Sequence, residues 1–293
     1  MPRVPANGIE LEYEEFGSDT DPAMILVMGL GGQLIDWHAD LCGELAGHGF
    51  RVIRFDNRDA GLSTSLDSFG IPDLAGVLSG DQSTVPYLLA DMARDAIGLL
   101  DALGIGKAHL VGQSMGGMIV QQVAVDYPDR LLSLCSISST TGDPGVGQPT
   151  AAALGALANP AAITRERAIR NSAAASRIFA SPGFEVTDEY LLERATAKYD
   201  RSHRPEGRLR QLTAIAAAPD RTKGLADVTV PALVIHGDAD TLVDVSGGRA
   251  TAAAIPGADL IVIPGLGHDL PRGAWPQIIP AIVANARKSA AVS

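Results

Sequence analysis

The chain has little of several features that would assign it to a specialised class of protein. It carries 2 Cys among 293 residues, which excludes a disulfide scaffold, and a chain of this length buries enough surface to fold without one. Lys and Arg number 23 against 34 Asp and Glu, and the resulting net charge of −11 disfavours nucleic acid or an anionic membrane surface as a partner. Long apolar runs are missing, both as transmembrane spans and as a secretory signal, so we expect a cytoplasmic protein without a membrane segment.

Short apolar runs bounded by Gly, Asp or Pro alternate with longer stretches of helical spacing in the first half of the chain. This alternation predicts βαβ units, and therefore an α/β fold with a parallel sheet covered by helices. Residues 9–16 alternate apolar and acidic side chains, which is typical of an edge strand. The predicted strands are 9–16, 23–28, 51–55, 108–111, 131–137, 230–236 and 260–263.

The pattern changes between about residue 138 and residue 226. Strand-like runs give way to Ala-rich helical pieces that are interrupted by Gly and Pro. We expect a helical cap inserted at residues 139–225, which separates a first part of the core (1–138) from a second part (226–293). The alternation of strands and helices resumes in the second part.

A G-x-S-x-G pattern places Ser114 between Gly112 and Gly116, directly after a predicted strand and directly before a predicted helix. So sharp a turn strains the backbone of the serine, and a side chain at either glycine would collide with the neighbouring chain. The turn exposes the hydroxyl, and the Met115 N–H at the start of the helix favours negative charge beside it. The pattern also arises by chance in a chain with 32 Gly, but its context favours a nucleophile.

A serine nucleophile needs a base within hydrogen-bond reach. His268 is the candidate among the six histidines, because it lies in a loop after the last predicted strand, where Gly265 and Gly267 let the chain bend. Such loops meet at the carboxyl edge of an open α/β sheet, where ligands bind and functional residues lie. The other five histidines are interpreted as packing or surface residues: His38, His48, His109, His203 and His236.

An acid must orient the base, and three carboxylates follow the strand that ends near residue 237. We favour Asp240, because the residue three positions after Gly237 can turn back toward His268, and Asp238 is the reserve candidate. The alternative interpretation is an acidic turn that caps the following helix. The chain order of Ser114, acid and histidine supports a catalytic triad.

An oxyanion hole needs a second backbone amide beside that of Met115. The Gly-rich turn at residues 29–32 follows a predicted interior strand, and we expect the Leu30 N–H to supply this donor. The competing interpretation is a phosphate-binding loop, but neither G-x-x-x-x-G-K-[ST] nor G-x-G-x-x-G is present.

Together these motifs resemble the α/β-hydrolase fold superfamily over nearly the whole chain. Residues 56–63 are similar to its D-x-R-G-x-G-x-S turn, with Asp59 where Gly is usual, and residues 230–240 and 265–268 are similar to its acid and histidine segments. The resemblance implies an eight-stranded, mostly parallel sheet with helices on both faces and a helical cap after the sixth strand. Within the superfamily the chain is similar to bacterial esterases of the aclacinomycin methylesterase type, which share Met28 where many relatives carry His.

The resemblance and the motifs lead to one hypothesis, hydrolysis of a small-molecule carboxylic ester through an acyl-enzyme, with no metal and no cofactor. Lactone opening, C–C bond hydrolysis and cofactor-free perhydrolysis remain alternatives at the same triad. A non-catalytic ligand-binding protein of the same fold is a more distant alternative, disfavoured by the complete triad. The acyl length, the alcohol and the formation of a homo-oligomer stay open.

The cap is expected to line the acyl or alcohol pocket. The alternative interpretation is that each candidate side chain packs in the core of the cap and does not line the pocket. The candidates are Ile178, Phe179, Phe184, Tyr190 and Leu191.

Overall fold

The computed structural model describes residues 2–157 and 164–289, which contain one eight-stranded sheet. Its strands are β1 (Arg3–Ala6), β2 (Ile9–Phe16), β3 (Ala23–Val27), β4 (Arg51–Phe55), β5 (Ala108–Gln113), β6 (Leu131–Ile137), β7 (Ala232–Gly237) and β8 (Asp259–Ile263). They lie in the order β1-β2-β4-β3-β5-β6-β7-β8, and only the pairings β1–β2 and β2–β4 are antiparallel. The predicted mostly parallel, eight-stranded α/β sheet is therefore confirmed.

One detail of the sheet differs from the sequence prediction. Residues 9–16 form β2 as expected, but β2 is not an edge strand, because β1 pairs with its outer side. The two strands are joined by Asn7 and Gly8, which have φ angles of 49° and 80°. Positive φ at both positions is typical of the tight turn of a two-residue hairpin, and Asn-Gly is the usual sequence for it.

Helices cover both faces of the sheet. Ile25 and Val27 of β3 belong to a buried cluster with α3 and α4, whereas Met24 and Leu26 belong to a second cluster with α1 and α11. Alternate residues of an interior strand thus pack on opposite faces. The helices are α1 (Ala39–Gly47), α2 (Leu74–Leu78), α3 (Leu89–Ala102), α4 (Met115–Asp126), α5 (Ala151–Leu157), α6 (Arg165–Phe179), α7 (Asp188–Arg201), α8 (Pro205–Ala216), α9 (Thr222–Leu225), α10 (Val245–Ala254) and α11 (Trp275–Lys288).

The segment between β6 and β7 contains helices α5 to α9, with no strand among its described residues. Residues 158–163 of the predicted cap, residue 1 and residues 290–293 lie outside the described part of the chain. None of the described helices is both long enough and apolar enough to cross a bilayer.

The parallel strands β3, β5, β7 and β8 direct their carboxyl ends to the same edge of the sheet. The loops that follow these strands therefore meet at that edge. These loops carry residues 28–32, 114, 238–244 and 264–268, which are the segments singled out from the sequence.

Candidate active site

Ser114 occupies a strained turn between β5 and α4. Its φ and ψ angles are 58° and −122°, a conformation that side-chain-bearing residues rarely adopt. Two hydrogen bonds hold the turn: the Ser114 N–H donates to the Ile137 carbonyl (2.8 Å), and the Ser139 hydroxyl donates to the Ser114 carbonyl (2.8 Å). The strain is thus maintained by β6 and by the residues that follow it.

Glycine is required on both sides of the serine. A Cβ atom at Gly112 would overlap the main chain of Gly116, and a Cβ atom at Gly116 would overlap the carbonyl of Val27 in β3. The helix α4 therefore starts in direct contact with two neighbouring strands, and the G-x-S-x-G spacing follows from this close approach.

His268 lies between the serine and an acid. Its Nε2 atom is 2.8 Å from the Ser114 Oγ, and its Nδ1 atom is 2.7 Å from Oδ2 of Asp240. A carboxylate only accepts hydrogen bonds, so Nδ1 carries the proton and Nε2 is left to accept from the serine hydroxyl. The side chain of His268 is largely buried, with 9% of its surface exposed.

The carboxylate of Asp240 is held by several donors. Its Oδ1 atom accepts hydrogen bonds from the main-chain N–H groups of Leu242 and Val243, both at 2.9 Å, and the Nε2 atom of His236 lies 3.5 Å from Oδ2. Burial raises the pKa of Asp240, but the charge and hydrogen bond of His268, with the hydrogen bonds from His236 and Val243, outweigh burial and hold this pKa well below its usual range. The acid is therefore ionised at neutral pH.

The other two carboxylates of this loop have different partners. Asp238 is exposed, and its Oδ1 atom accepts from the Gly265 N–H at 2.6 Å, so it supports the histidine loop without contacting the imidazole. Asp244 caps α10 by accepting from the Ser246 N–H at 2.9 Å. The alternative interpretation of this acidic turn, capping of the following helix, therefore applies to Asp244.

The glycine-rich turn after β3 lies beside Ser114. A Cβ atom at Gly29 would be 3.0 Å from the Ser114 Cβ, and the carbonyl of Met28 accepts a 2.8 Å hydrogen bond from the Asn57 side chain. The Leu30 N–H has no acceptor within the described part of the chain. Met115 is the first residue of α4, so its N–H has no acceptor within the helix. Neither amide therefore has a hydrogen-bond acceptor among the described residues.

Two glutamines support the site and were missed by the sequence analysis. The side chain of Gln113 donates to the main-chain carbonyl of His268 (2.7 Å), which ties the serine turn to the histidine loop. Gln211 of α8 accepts from the Gly31 N–H at 2.7 Å, within the glycine-rich turn. The position of Gln113 directly before Ser114 in the G-x-S-x-G pattern is a sequence signal that could have indicated its role. Neither the residue type nor the spacing of Gln211 gives such a signal.

The five predicted pocket residues are dispersed. Of the five, Phe179 is the one with a contact to His268 among the described residues: its ring centroid is 6.5 Å from that of His268, and its carbonyl accepts the His268 N–H at 2.8 Å. The carbonyl of the preceding Ile178 accepts from Thr241. Phe184 packs against the core cluster of α1 and α11, Tyr190 is 42% exposed on α7, and Leu191 is buried beside the groove between α6 and α7.

The described residues contain no group of three or more His, Cys, Asp and Glu side chains arranged to hold a metal ion.

Two curated relatives align with almost the whole chain. Rhodomycin D methylesterase DauP from Streptomyces sp. is 30% identical over 95% of this chain and 95% of its own length. The 2-hydroxy-6-oxononadienedioate/2-hydroxy-6-oxononatrienedioate hydrolase from Burkholderia vietnamiensis is 31% identical over 90% of this chain and 87% of its own length.

Solved structures show the same fold. The enol-lactonase from Burkholderia xenovorans has a TM-score of 0.75 at 24% identity and covers 98% of this chain and 100% of its own. The family model described as alpha/beta hydrolase fold matches residues 22–271. The resemblance carried by the motifs is thereby confirmed, and this chain belongs to the α/β-hydrolase fold family.

Proposed function

We propose that this protein hydrolyses carboxylic esters of small molecules through an acyl-enzyme intermediate. The Ser114 Oγ attacks the ester carbonyl while His268 takes its proton, and Asp240 holds the imidazole in the reactive tautomer. The N–H groups of Leu30 and Met115 stabilise the oxyanion of the tetrahedral intermediate. His268 then protonates the departing alcohol, and a water molecule activated by the same imidazole releases the acid and regenerates the serine.

One observation carries the proposal: a continuous hydrogen-bonded chain from Ser114 through His268 to Asp240, with lengths of 2.8 and 2.7 Å. The chain starts at a serine on a strained turn and ends at an ionised acid, which is the arrangement that makes a hydroxyl nucleophilic. The similarity to a protein named rhodomycin D methylesterase, at 30% identity, supports an ester as the substrate.

We further propose that residues 139–225 act as a cap over this site. Phe179 contacts His268, and Gln211 contacts the glycine-rich turn, so two separate parts of the segment reach the sheet edge that carries the triad. Phe179 is the strongest candidate for the pocket wall among the five predicted residues.

Hydrolysis of a C–C bond is the second candidate function. It is favoured by the relative from Burkholderia vietnamiensis, a protein named 2-hydroxy-6-oxononadienedioate hydrolase that is 31% identical. The same triad serves both reactions, so the substrate distinguishes them.

The test is intact-mass analysis after treatment with a fluorophosphonate, followed by assays with p-nitrophenyl esters of increasing acyl length. We expect one adduct on the wild type and none on Ser114→Ala, while Ser172→Ala, at an exposed serine of α6, retains the adduct. Turnover of a 2-hydroxy-6-oxo-dienoate without turnover of any ester would support the second candidate. Normal ester turnover by Ser114→Ala would overturn the assignment of the nucleophile.

A further inference from the structure

Arg208 of α8 packs against the glycine-rich turn. Its methylene groups lie against Gly31, where an added Cβ atom would be 3.0 Å from the Arg208 Cδ and 3.1 Å from Cγ. The other end of the same turn, at Gly29, is equally close to the Ser114 Cβ (3.0 Å). The side chain is thus separated from the nucleophile by a turn of three residues.

The guanidinium of Arg208 has few partners for a partly buried cation. Among the described residues its guanidinium makes one hydrogen bond, from Nη1 to the Leu157 carbonyl at 3.2 Å, and no salt bridge. Residues 158–163, which follow Leu157, include no Asp or Glu. Burial lowers the pKa of Arg208, and no neighbouring carboxylate opposes that effect.

Other buried arginines of the same segment are well satisfied. Arg210, two residues along α8, forms salt bridges with Asp59 and Asp67. Arg221 forms no salt bridge with another described residue, but it donates to two carbonyls and to the Gln121 side chain. A partly buried charge without such partners is costly to a fold, so the unpaired donors of Arg208 indicate a partner that binds there.

The charge distribution of the chain is consistent with an anionic partner. Residues 139–225 contain 12 of the 23 Lys and Arg residues but 9 of the 34 Asp and Glu residues. This segment is therefore net positive, although the whole chain has a net charge of −11. Several of these cations pair with carboxylates outside the segment, namely Arg194, Lys198, Arg201 and Arg210, whereas Arg208 forms no such pair within the described residues.

We propose that Arg208 binds a carboxylate carried by the substrate. The inference rests on the proposed ester hydrolysis and specifies its substrate class: esters that carry a free carboxylate on the acyl or the alcohol side. The planar guanidinium matches a carboxylate with two parallel hydrogen bonds. The turn from Gly29 to Gly31 spans at most about 7 Å, so acyl arms of about six to eight carbons are the lengths chosen to test whether a carboxylate reaches the guanidinium.

Matched pairs of esters test this inference. The acyl arm compares mono-p-nitrophenyl adipate and suberate with p-nitrophenyl hexanoate and octanoate, and the alcohol arm compares 4-carboxyphenyl acetate with phenyl acetate. We expect the wild type to favour the carboxylate ester by about tenfold or more in kcat/KM in one arm. Arg208→Gln should lower kcat/KM for that ester by about 10- to 100-fold, mainly through KM, and change the neutral ester less than about twofold.

Three controls make the result specific. Arg167→Gln removes the same charge from an exposed position on α6 and should leave both esters unaffected. Arg208→Lys should recover part of the preference. The rate of labelling by a neutral fluorophosphonate should be equal in the wild type and in Arg208→Gln, because the nucleophile is unaltered.

Equal losses on the charged and neutral esters in Arg208→Gln would mean that the side chain merely supports Gly31 and caps α5, which would overturn the inference. Hydrolysis of the neutral esters by the wild type without preference in either arm would also overturn it, while leaving ester hydrolysis intact. No labelling and no hydrolysis of any ester would overturn the proposed function, and the substrate class with it.

Discussion

The side-chain Oε1 atom of Gln211 accepts a 2.7 Å hydrogen bond from the main-chain N–H of Gly31. The same glutamine is fully buried and donates through Nε2 to the carbonyl of Arg58, also at 2.7 Å. On the other side of the turn, the Asn57 side chain donates to the carbonyl of Met28. The turn that carries the Leu30 N–H is therefore held from two directions, by the helix α8 and by the loop after β4.

Loss of the Gln211 contact should impair the oxyanion site. Gln211→Leu leaves the Gly31 N–H without its acceptor and frees the turn to shift, and a displaced donor stabilises the transition state less well. We expect kcat to fall about tenfold with KM changed less than about twofold, which is smaller than the effect of losing a donor entirely. Steady-state kinetics with a p-nitrophenyl ester measure both parameters.

Two further variants separate positioning from folding. Gln211→Glu keeps an acceptor for Gly31 but loses the donor to Arg58, so it should retain more of kcat than Gln211→Leu. Gln122→Leu, at a partly exposed glutamine of α4, is the matched control. A folded Gln211→Leu variant with the kcat of the wild type would show that the turn keeps its geometry without this contact.

The two acids after β7 should differ sharply in their effect on turnover. Asp240→Asn replaces an acceptor by an amide that favours the wrong tautomer of His268, and we expect kcat to fall by about 10⁴. Asp238→Asn keeps an oxygen that can accept from Gly265, so it should retain most of its activity. Parallel kcat measurements on the two variants decide the assignment, and a larger loss in Asp238→Asn would exchange the two roles.

Much of the fold could be predicted because interior parallel strands carry a strong sequence signal. Runs such as 51–55 and 131–137 carry Val, Ile, Leu or Phe at both sets of alternating positions, and the structure has strands with these bounds. The edge strand β1 contains four residues, too few for a period to stand out, and it was missed although Asn7 and Gly8 mark its hairpin. The Asn-Gly turn was the feature of the sequence from which β1 could have been predicted.

The residues of the candidate site also fall into two groups, those that the sequence indicates and those that it does not. Ser114, Asp240 and His268 were found because strand ends and flanking glycines place them at one sheet edge, and such features leave a local pattern. Gln113 and Gln211 act through contacts across 155 and 180 residues. A buried glutamine whose partner is a main-chain group elsewhere has no characteristic spacing, so only the folded chain reveals it.

His109 should make the protein less stable as the pH falls. Its imidazole is buried in β5, with Nδ1 2.9 Å from the Ser133 Oγ, and burial lowers its pKa from 6.5 to about 4. Since the folded state binds this proton less readily than the unfolded state, stability present above pH 6.5 is lost between pH 6.5 and 4. The pKa difference corresponds to about 3 kcal/mol at full effect.

The measurement is the free energy of unfolding at pH 7 and pH 4.5 for the wild type, His109→Gln and His48→Gln. At pH 7 we expect His109→Gln to have a lower free energy of unfolding than the wild type. This difference should shrink, or reverse in sign, at pH 4.5. His48 is exposed at the end of α1, and His48→Gln is the control for the loss of a histidine outside the core. Parallel curves for the wild type and His109→Gln would contradict the assignment.

Asp59 departs from the glycine that is usual at its position in the family, and the structure gives a reason for the departure. It has a φ of 65°, a strained angle for a residue with a side chain, and its carboxylate forms two hydrogen bonds with the buried Arg210, at 2.9 and 2.8 Å. The Tyr87 hydroxyl also donates to it. The ion pair connects the turn after β4 to α8, the helix that supplies Gln211.

Asp59→Gly relieves the backbone strain but leaves the charge of Arg210 buried without its main partner, since its other carboxylate, Asp67, is largely exposed. We expect the free energy of unfolding to fall by about 3 kcal/mol, because an unpaired buried charge outweighs the roughly 1 kcal/mol gained at a positive φ. Arg210→Leu in the Asp59→Gly background removes the charge and should restore most of that loss. Urea denaturation of the four proteins of this cycle gives the coupling energy, and additive losses from the two substitutions would show that the pair does not hold α8 in place.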